Sequence, residues 1–432
     1  MKPKLIRKSV NASVKDGVFW SMMTGFVDPY AVPFALNLGA SNFVIGVLRS
    51  FPSLITSVFQ IFNEKIVASI GSCKKAVMIN VLMQAFSAGI AACAIFLPPG
   101  WNLAFFAFMM VLYTLGGSLA GPPWAALMGE YIPRSKRGAF FGFRNQVIGV
   151  TFFAASLAAA GILSLKWKNS LTGFAVIFVL AFFWRLISAY YVGQMHEPCR
   201  MSHMPVIGRQ KADTSRNAAL LKSFFICTFV LMFGAFLAAP YFSVYVLKEL
   251  HFGYYKYMAV MSIGQLVTYM IMKRWGMAAD VFGSVRVMRV AFLGAPVIPL
   301  LWALNQNFMY LMVIEIFSGM VWAGYIIGVN NFLYEYAEPS LRTRYNSAFN
   351  FVFGIAQFLG AISGGYLYEK LPVLGGSAFI TLLLISALFR AFAVIPFFRS
   401  IKEKSAYAKT GETDFFISLA GFRNAKTEHF VK

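Results

Sequence analysis

Residues 276–286 read Gly-Met-Ala-Ala-Asp-Val-Phe-Gly-Ser-Val-Arg: a glycine, an aspartate four positions on, a second glycine, then a base. This short hinge joins two long apolar runs, 253–275 and 286–305. Each has the length of roughly 17–25 residues needed to cross a hydrocarbon core about 30 Å thick. Working outward, the same alternation covers the chain, with further apolar runs at 14–37, 42–63, 75–97, 103–131, 139–164, 171–193, 221–248, 308–335, 345–368 and 375–398. These runs are continuously apolar and far longer than the roughly ten alternating residues of a barrel strand, so the reading is all-α with twelve transmembrane helices.

Composition agrees. The 432 residues are 59% hydrophobic and only 12% charged, with a mean hydropathy of +0.67. Soluble domains carry about 25% charged residues, so a soluble enzyme, a nucleic-acid binder and a disordered scaffold are all excluded, and the expected surroundings are a lipid bilayer. The net charge of +22 orients the helices rather than binding nucleic acid. Thirty Lys and Arg fall on the side that holds both termini, five on the other side (Lys166, Lys168, Lys248, Lys256, Lys370), and three inside runs (Arg49, Arg185, Arg390). That asymmetry places both termini in the cytoplasm of a multi-pass plasma (inner) membrane protein. The first apolar stretch is long and interrupted by Asp28-Pro29, which does not fit a cleavable signal peptide. The four cysteines fall in helices or cytoplasmic loops, so no structural disulfide is expected.

The two sets of six runs repeat. Pro29-Tyr30 and Leu36 recur as Pro240-Tyr241 and Leu247, and Gly71-Ser72 as Gly283-Ser284. Further along, Glu130, Arg137 and Arg185 recur at one common offset as Glu335, Arg342 and Arg390. The expected organisation is therefore two pseudo-symmetric six-helix bundles, 1–193 and 221–398, with a cytoplasmic linker at 194–220 and a basic cytoplasmic tail at 399–432.

At these residues the chain resembles the major facilitator superfamily of secondary transporters. The 276–286 hinge is similar to the family's cytoplasmic-loop motif, which implies that Gly276, Asp280, Gly283 and Arg286 form a cytoplasmic gate that holds the inward side shut. The first-half equivalent departs from the pattern: Glu64 and Ala68 stand where the first glycine and the aspartate are expected, with Glu64 the candidate substitute carboxylate. Pro123-Trp124 to Glu130, then Arg137-Gly138 and Arg144-Asn145, resemble a junction found among uncharacterised bacterial members. Glu130 with Arg137 and Glu335 with Arg342 then read either as ion pairs of the closed gate or as solvated helix ends.

Ionisable groups at membrane depth cost a few kcal/mol each and need a reason. Asp28, Arg49 and Glu315 lie seven to nine residues from the outer ends of their runs, about 10–14 Å deep, and are expected to meet in one layer. Pro29 and Pro33 break the helix beside Asp28, as happens where a helix lines a cavity. In one reading Asp28 or Glu315 carries a coupling proton while Arg49 tunes it or holds an anionic group; in the other, Asp28 and Arg49 form a fixed salt bridge that staples two helices. Arg185 and Arg390 are read as structural. Tyr30, Trp124, Asn330, Asn331, Asn350 and Gln357 complete the expected substrate set, because the family's cavity is lined by these spans and their neighbours.

The four histidines lack metal spacing, and there is no phosphate-binding loop or nucleophile elbow. No enzyme activity, cofactor or metal is expected. The resemblance implies a transporter; with the charges at membrane depth, the expectation is a monomer that performs proton-coupled symport of a small polar or anionic solute. The alternatives are an exporter of amphipathic compounds and a non-transporting receptor. One consequence is directly measurable: alkaline phosphatase fused after Lys432 should be inactive and a fluorescent protein there should be bright, with the reverse pattern for fusions in the loop at Lys370. The opposite pattern would invert the topology.

Overall fold

The computed structural model describes residues 3–167, 169–197, 216–337, 342–374 and 376–401, without the side chains of residues 3, 134–139, 216–218 and 342–344. Most of the expected linker and nearly all of the expected tail lie outside the described residues. Helices run as α1 (Pro3–Val27), α2 (Ala31–Asn37), α3 (Asn42–Ile70), α4 (Cys73–Ala91), α5 (Trp101–Tyr131), α6 (Arg134–Leu163), α7 (Ser170–Gly193), α8 (Arg216–Ala238), α9 (Phe242–Val244), α10 (Tyr254–Phe282), α11 (Ser284–Leu304), α12 (Phe308–Tyr336), α13 (Arg342–Lys370) and α14 (Ala378–Ser400). A tight turn at Ala92–Phe96 extends α4, and irregular turns at Ala239–Tyr241 and Tyr245–Glu249 carry α8 onward. No strand occurs among the described residues.

Among the described residues, ten helical stretches are long and apolar enough to cross a membrane. The two expected crossings outside that set are α1 with α2, and α10. Both have the physical reason written in their sequences: α1 carries Lys4, Arg7, Lys8, Lys15 and Asp16 before the break at Asp28, and α10 carries Lys256, Lys273, Arg274 and Asp280.

Helix starts are set by side chains that replace missing backbone acceptors. Ser72 accepts from the Lys75 amide at 3.0 Å, Asn307 from the Met309 amide at 2.9 Å and Ser377 from the Phe379 amide at 2.9 Å. Gly71 and Gly283 end α3 and α10 with φ of 71° and 93°, a region that favours glycine.

The packing repeats. In the first half α1 lies against α7 and α6, α5 against α3 and α4, and α4 against α7. In the second half α8 lies against α14 and α13, α12 against α10 and α11, and α11 against α14. The halves meet mainly through α3 on α13 and α6 on α10.

The tyrosines of the Pro-Tyr repeat do the same work in each half. Tyr30 is fully buried and its hydroxyl donates to the Ser156 carbonyl on α6 at 2.6 Å, while Tyr241 donates to the Ala361 carbonyl on α13. The expectation that Tyr30 contacts substrate is therefore corrected. Its ring is packed into the core and its one polar atom is spent on a neighbouring backbone.

Close approach of α3 to α13 depends on Gly46, where a Cβ would lie 2.6 Å from the Ala361 carbonyl oxygen. Overpacking of this kind costs about 1–3 kcal/mol. Gly46→Val should therefore lower the melting temperature of the purified protein by several degrees, whereas Gly121→Ala, which meets open space, should leave it unchanged.

Candidate functional site

The break between α1 and α2 follows from two prolines. Pro33 has no N–H to give to the Pro29 carbonyl four residues earlier, and that carbonyl instead accepts from the Tyr257 hydroxyl of α10 at 2.7 Å. The neighbouring Asp28 carbonyl accepts from Arg49 Nη1 at 3.4 Å. The unwound turn turns the Asp28 side chain into open space bounded by both halves.

Two adjoining cavities hold Asp28 and Arg49. One, about 350 Å³, lies between the halves, with Thr24 on one wall and Ser243, Tyr257, Gln265 and Tyr269 on the other. The second, about 400 Å³, runs into the first half past Gln84, Tyr113 and Thr114 to Gln357. Asp28 Oδ1 accepts from the Tyr113 hydroxyl at 2.8 Å. The ion pairs within 4.0 Å among the described residues involve Asp16, not Asp28; of the two readings of Asp28 and Arg49, the fixed salt bridge is not formed, and Arg49 bonds to the Asp28 main chain.

Glu315 does not join that pair. It lines a separate cavity of about 520 Å³ in the second half, where Trp302 Nε1 donates to Oε1 at 2.9 Å and Arg390 is a fellow lining residue. The two spaces share only the wall formed by Ala239, Met261 and Gln265. A sequence gives the position of a residue along its helix, but not the direction its side chain faces. Arg390 also donates to the Ala295 carbonyl at 3.0 Å and to the Ala235 carbonyl at 3.5 Å, tying α14 to α11 and α8.

The remaining expected residues divide. Gln357 lines the Asp28 cavity and its Nε2 donates to the Arg49 carbonyl at 3.3 Å. Asn350 Nδ2 donates to Gln60 Oε1 at 3.4 Å, a link between α13 and α3 that joins the halves rather than lining these cavities. Trp124 lies under the Arg144 guanidinium, 4.3 Å from ring to Cζ. Asn330 is exposed and Asn331 half-buried on α12, and neither lines these cavities.

At the expected gate, Gly283 makes the turn while Gly276 sits within α10 facing open space. Asp280 is exposed and forms no ion pair among the described residues. Ser284 Oγ donates to Glu335 Oε2 at 2.8 Å, joining the start of α11 to the end of α12, with Arg286 half-buried nearby in sequence. Glu130 is exposed at the end of α5. The side chains of Arg137 and Arg342 lie outside the described residues. In the first half the carboxylate at the α4 N-terminus is Glu197, which accepts from Ser72 Oγ at 2.6 Å and from the Lys74 amide at 3.2 Å. Glu64 was the sequence candidate for that place. Glu197 lies more than a hundred residues away in the chain, and no local pattern points to it.

Tyr113, Trp302 and Asp16 were not among the expected site residues, and the pairing of Asp16 with Arg144 and Arg185 was not foreseen. Asp16 and Arg144 lie close to the ends of the apolar runs 14–37 and 139–164, yet both are buried. Lone charges close to a helix end look solvated in a sequence, and only packing reveals otherwise.

The model for the family described as Major Facilitator Superfamily matches residues 17–272 and 224–431. The chain belongs to the Major Facilitator Superfamily. Among solved structures it is similar to a D-xylose-proton symporter at 12% identity and TM-score 0.71, covering 92% of this chain and 97% of that one. It is also similar to the nucleoside transporter NupG in its D323A mutant, at 14% identity and TM-score 0.70, covering 91% and 100%. A third similar structure is the xylose transporter XylE from E. coli in a partially occluded inward-open conformation, at 12% identity and TM-score 0.67, covering 93% and 99%. At such identities the likeness is one of superfamily fold. No curated protein matches the chain by sequence.

The cavity residues are testable as a set. In a background with the four native cysteines replaced, Gln265→Cys and Gln357→Cys should react with a small hydrophilic thiol reagent, while Ala159→Cys, at a fully buried position, should not. Equal protection of all three would remove the water-filled cavity.

Proposed function

We propose that this chain moves a small polar or anionic solute across the plasma membrane by alternating access, in symport with protons. Two six-helix bundles, 1–193 and 221–398, rock about the central cavity, making twelve crossings with both termini in the cytoplasm. The observation that carries the reading is the setting of Asp28. Its carboxyl is open to a cavity walled by both halves and is held by a neutral hydroxyl, Tyr113, rather than by a base. A tyrosine hydroxyl can donate to a carboxylate or accept from a carboxylic acid, so the same contact serves both protonation states. Arg49 stands on the same cavity wall, free to approach the carboxylate once its bond to the main chain is released.

The bond from Tyr257 to the Pro29 carbonyl supports a seal between the halves at the end opposite the termini. The packing of Tyr254 on Phe174, ring centroids 5.9 Å apart, supports the same seal. Rocking exchanges these contacts for closure at the other end, where the hinge around Gly283 and the Ser284–Glu335 bond lie. The names of the similar structures, a proton symporter of xylose and a nucleoside transporter, fit a polar solute.

A second reading, export of amphipathic compounds, draws on the cavity around Glu315, whose walls include Met232, Phe236, Phe242, Trp322 and Phe353. A thermal-shift screen separates the two, using wild type and Asp28→Asn at pH 5.5 and 7.5 against polar metabolites and amphipathic drugs. Symport requires a polar compound whose stabilisation of wild type changes with pH while that of Asp28→Asn does not. If amphipathic compounds alone stabilise both proteins equally at both pH values, export replaces symport.

A further inference from the structure

The cluster beneath the Asp28 cavity has more positive charge than its own carboxylate balances. Asp16 of α1 faces Arg144 of α6 and Arg185 of α7, each at 3.8 Å. Both separations are far longer than the roughly 2.7–2.9 Å of a charge-assisted hydrogen bond. Asp16 Oδ1 is instead taken up by the Ser188 hydroxyl at 2.7 Å, which accepts in turn from Arg185 Nη1 at 2.8 Å. One carboxylate thus stands between two guanidinium groups, and all three residues are at least nine-tenths buried.

These residues open on a cavity of about 200 Å³, also lined by Trp124, Trp20 and Gly117. The last two are shared with the cavity that holds Asp28. Arg144 is fixed for presentation. Its guanidinium lies on the Trp124 ring at 4.3 Å and against the backbone at Gly17, where a Cβ would come within 2.8 Å of Nη2. It donates through Nε to the Ser13 carbonyl at 3.4 Å. A guanidinium has five N–H donors, and the protein engages few of those on Arg144. Two residues of the cavity wall also carry a buried nitrogen without a hydrogen-bond partner, Arg185 Nε and Trp124 Nε1.

Buried donors without acceptors and a buried net positive charge are both costly at membrane depth. A planar fork of N–H groups matches the oxygens of a carboxylate or phosphate. We infer that this cavity is an oxyanion-binding subsite, with Arg144 as the anchor, Trp124 as its platform and Asp16 as the internal counter-ion that an arriving anion displaces. The repeat-related Arg390 is held differently: its Nη atoms donate to the Ala295 and Ala235 carbonyls, and it shares its cavity with the Glu315 carboxylate. Under the transport reading above, the solute is an organic acid or phosphate ester whose charged group docks at Arg144. The assignment of the subsite needs only binding.

The test is equilibrium binding to the purified full chain in detergent at low salt. Inorganic phosphate and succinate are titrated beside ribose and sodium chloride of matched ionic strength, read by melting temperature and calorimetry. Phosphate or succinate should stabilise wild type where ribose and chloride do not. Arg144→Gln should weaken binding at least tenfold, with Arg144→Lys intermediate, and Asp16→Asn should tighten it by removing the competing carboxylate. A merely structural cluster predicts loss of stability in all three variants and no anion response in any.

Should the arginine variants fail to fold, Gly121→Cys in the same cavity, where a new side chain meets nothing within 4 Å, gives an independent readout. Phosphate should slow its labelling severalfold. Response to phosphate alone would mark free phosphate as the ligand, and response to succinate as well would mark an acidic group on an organic solute. No response in wild type, an equal response in Arg144→Gln, or an effect matched by chloride (an adventitious ion only) overturns the subsite. Neutral polar compounds that bind with Asp28-dependent pH sensitivity would leave symport standing while the oxyanion assignment fell.

Discussion

A single missing N–H organises the centre of this molecule. Because Pro33 cannot donate, the Pro29 carbonyl at membrane depth must find a donor elsewhere, and it finds the Tyr257 hydroxyl across the interface between the halves. The Tyr257 hydroxyl supplies the donor that Pro33 lacks, so the broken helix and the contact between halves stabilise each other. The same unwound turn lets Arg49 hydrogen-bond to the Asp28 main chain and leaves the Asp28 carboxyl to Tyr113. Any motion that parts α10 from α1 must exchange the Tyr257 contact for another, which links opening of the cavity to the environment of its carboxylate.

The two halves keep one scaffold and differ in chemistry. Equivalent helices pair in the same way in each, and Tyr30 and Tyr241 hook equivalent helices through their hydroxyls. Their interiors diverge. The first half holds Asp16 between two arginines beside a cavity that continues toward Asp28. The second holds Glu315 with Trp302 and Arg390 beside a larger, greasier space. Packing can be conserved through a repeat because it needs only shape and small residues at close approaches. The charges each half carries are free to specialise.

Much of the site's ingredients could be read from the chain, but not their grouping. Asp28, Arg49 and Gln357 were identifiable as polar residues in apolar runs, and they do line one cavity. Glu315 was identified by the same rule and faces a different space, since a difference of a few residues turns a side chain to another side of its helix. Trp124 looked like a binding residue and serves Arg144. Asp16 and Arg144 were passed over because charges near helix ends are ordinarily solvated. Glu197 reaches the α4 N-terminus from a loop remote in sequence.

What the sequence determined by itself was the helical, membrane-embedded character of the chain and its superfamily. Run length, hydropathy and the hinge at 276–286 depend only on residues close together in the chain. Hydropathy alone, however, fell short at α1 and α10, whose charges dilute it. Only the tertiary structure decided which buried charges face one another, which tyrosines are structural hooks, and that Asp28 is held by a hydroxyl rather than by Arg49. Those outcomes depend on the rotation of each helix about its axis and on residues 85 or more positions apart, and no local pattern encodes either.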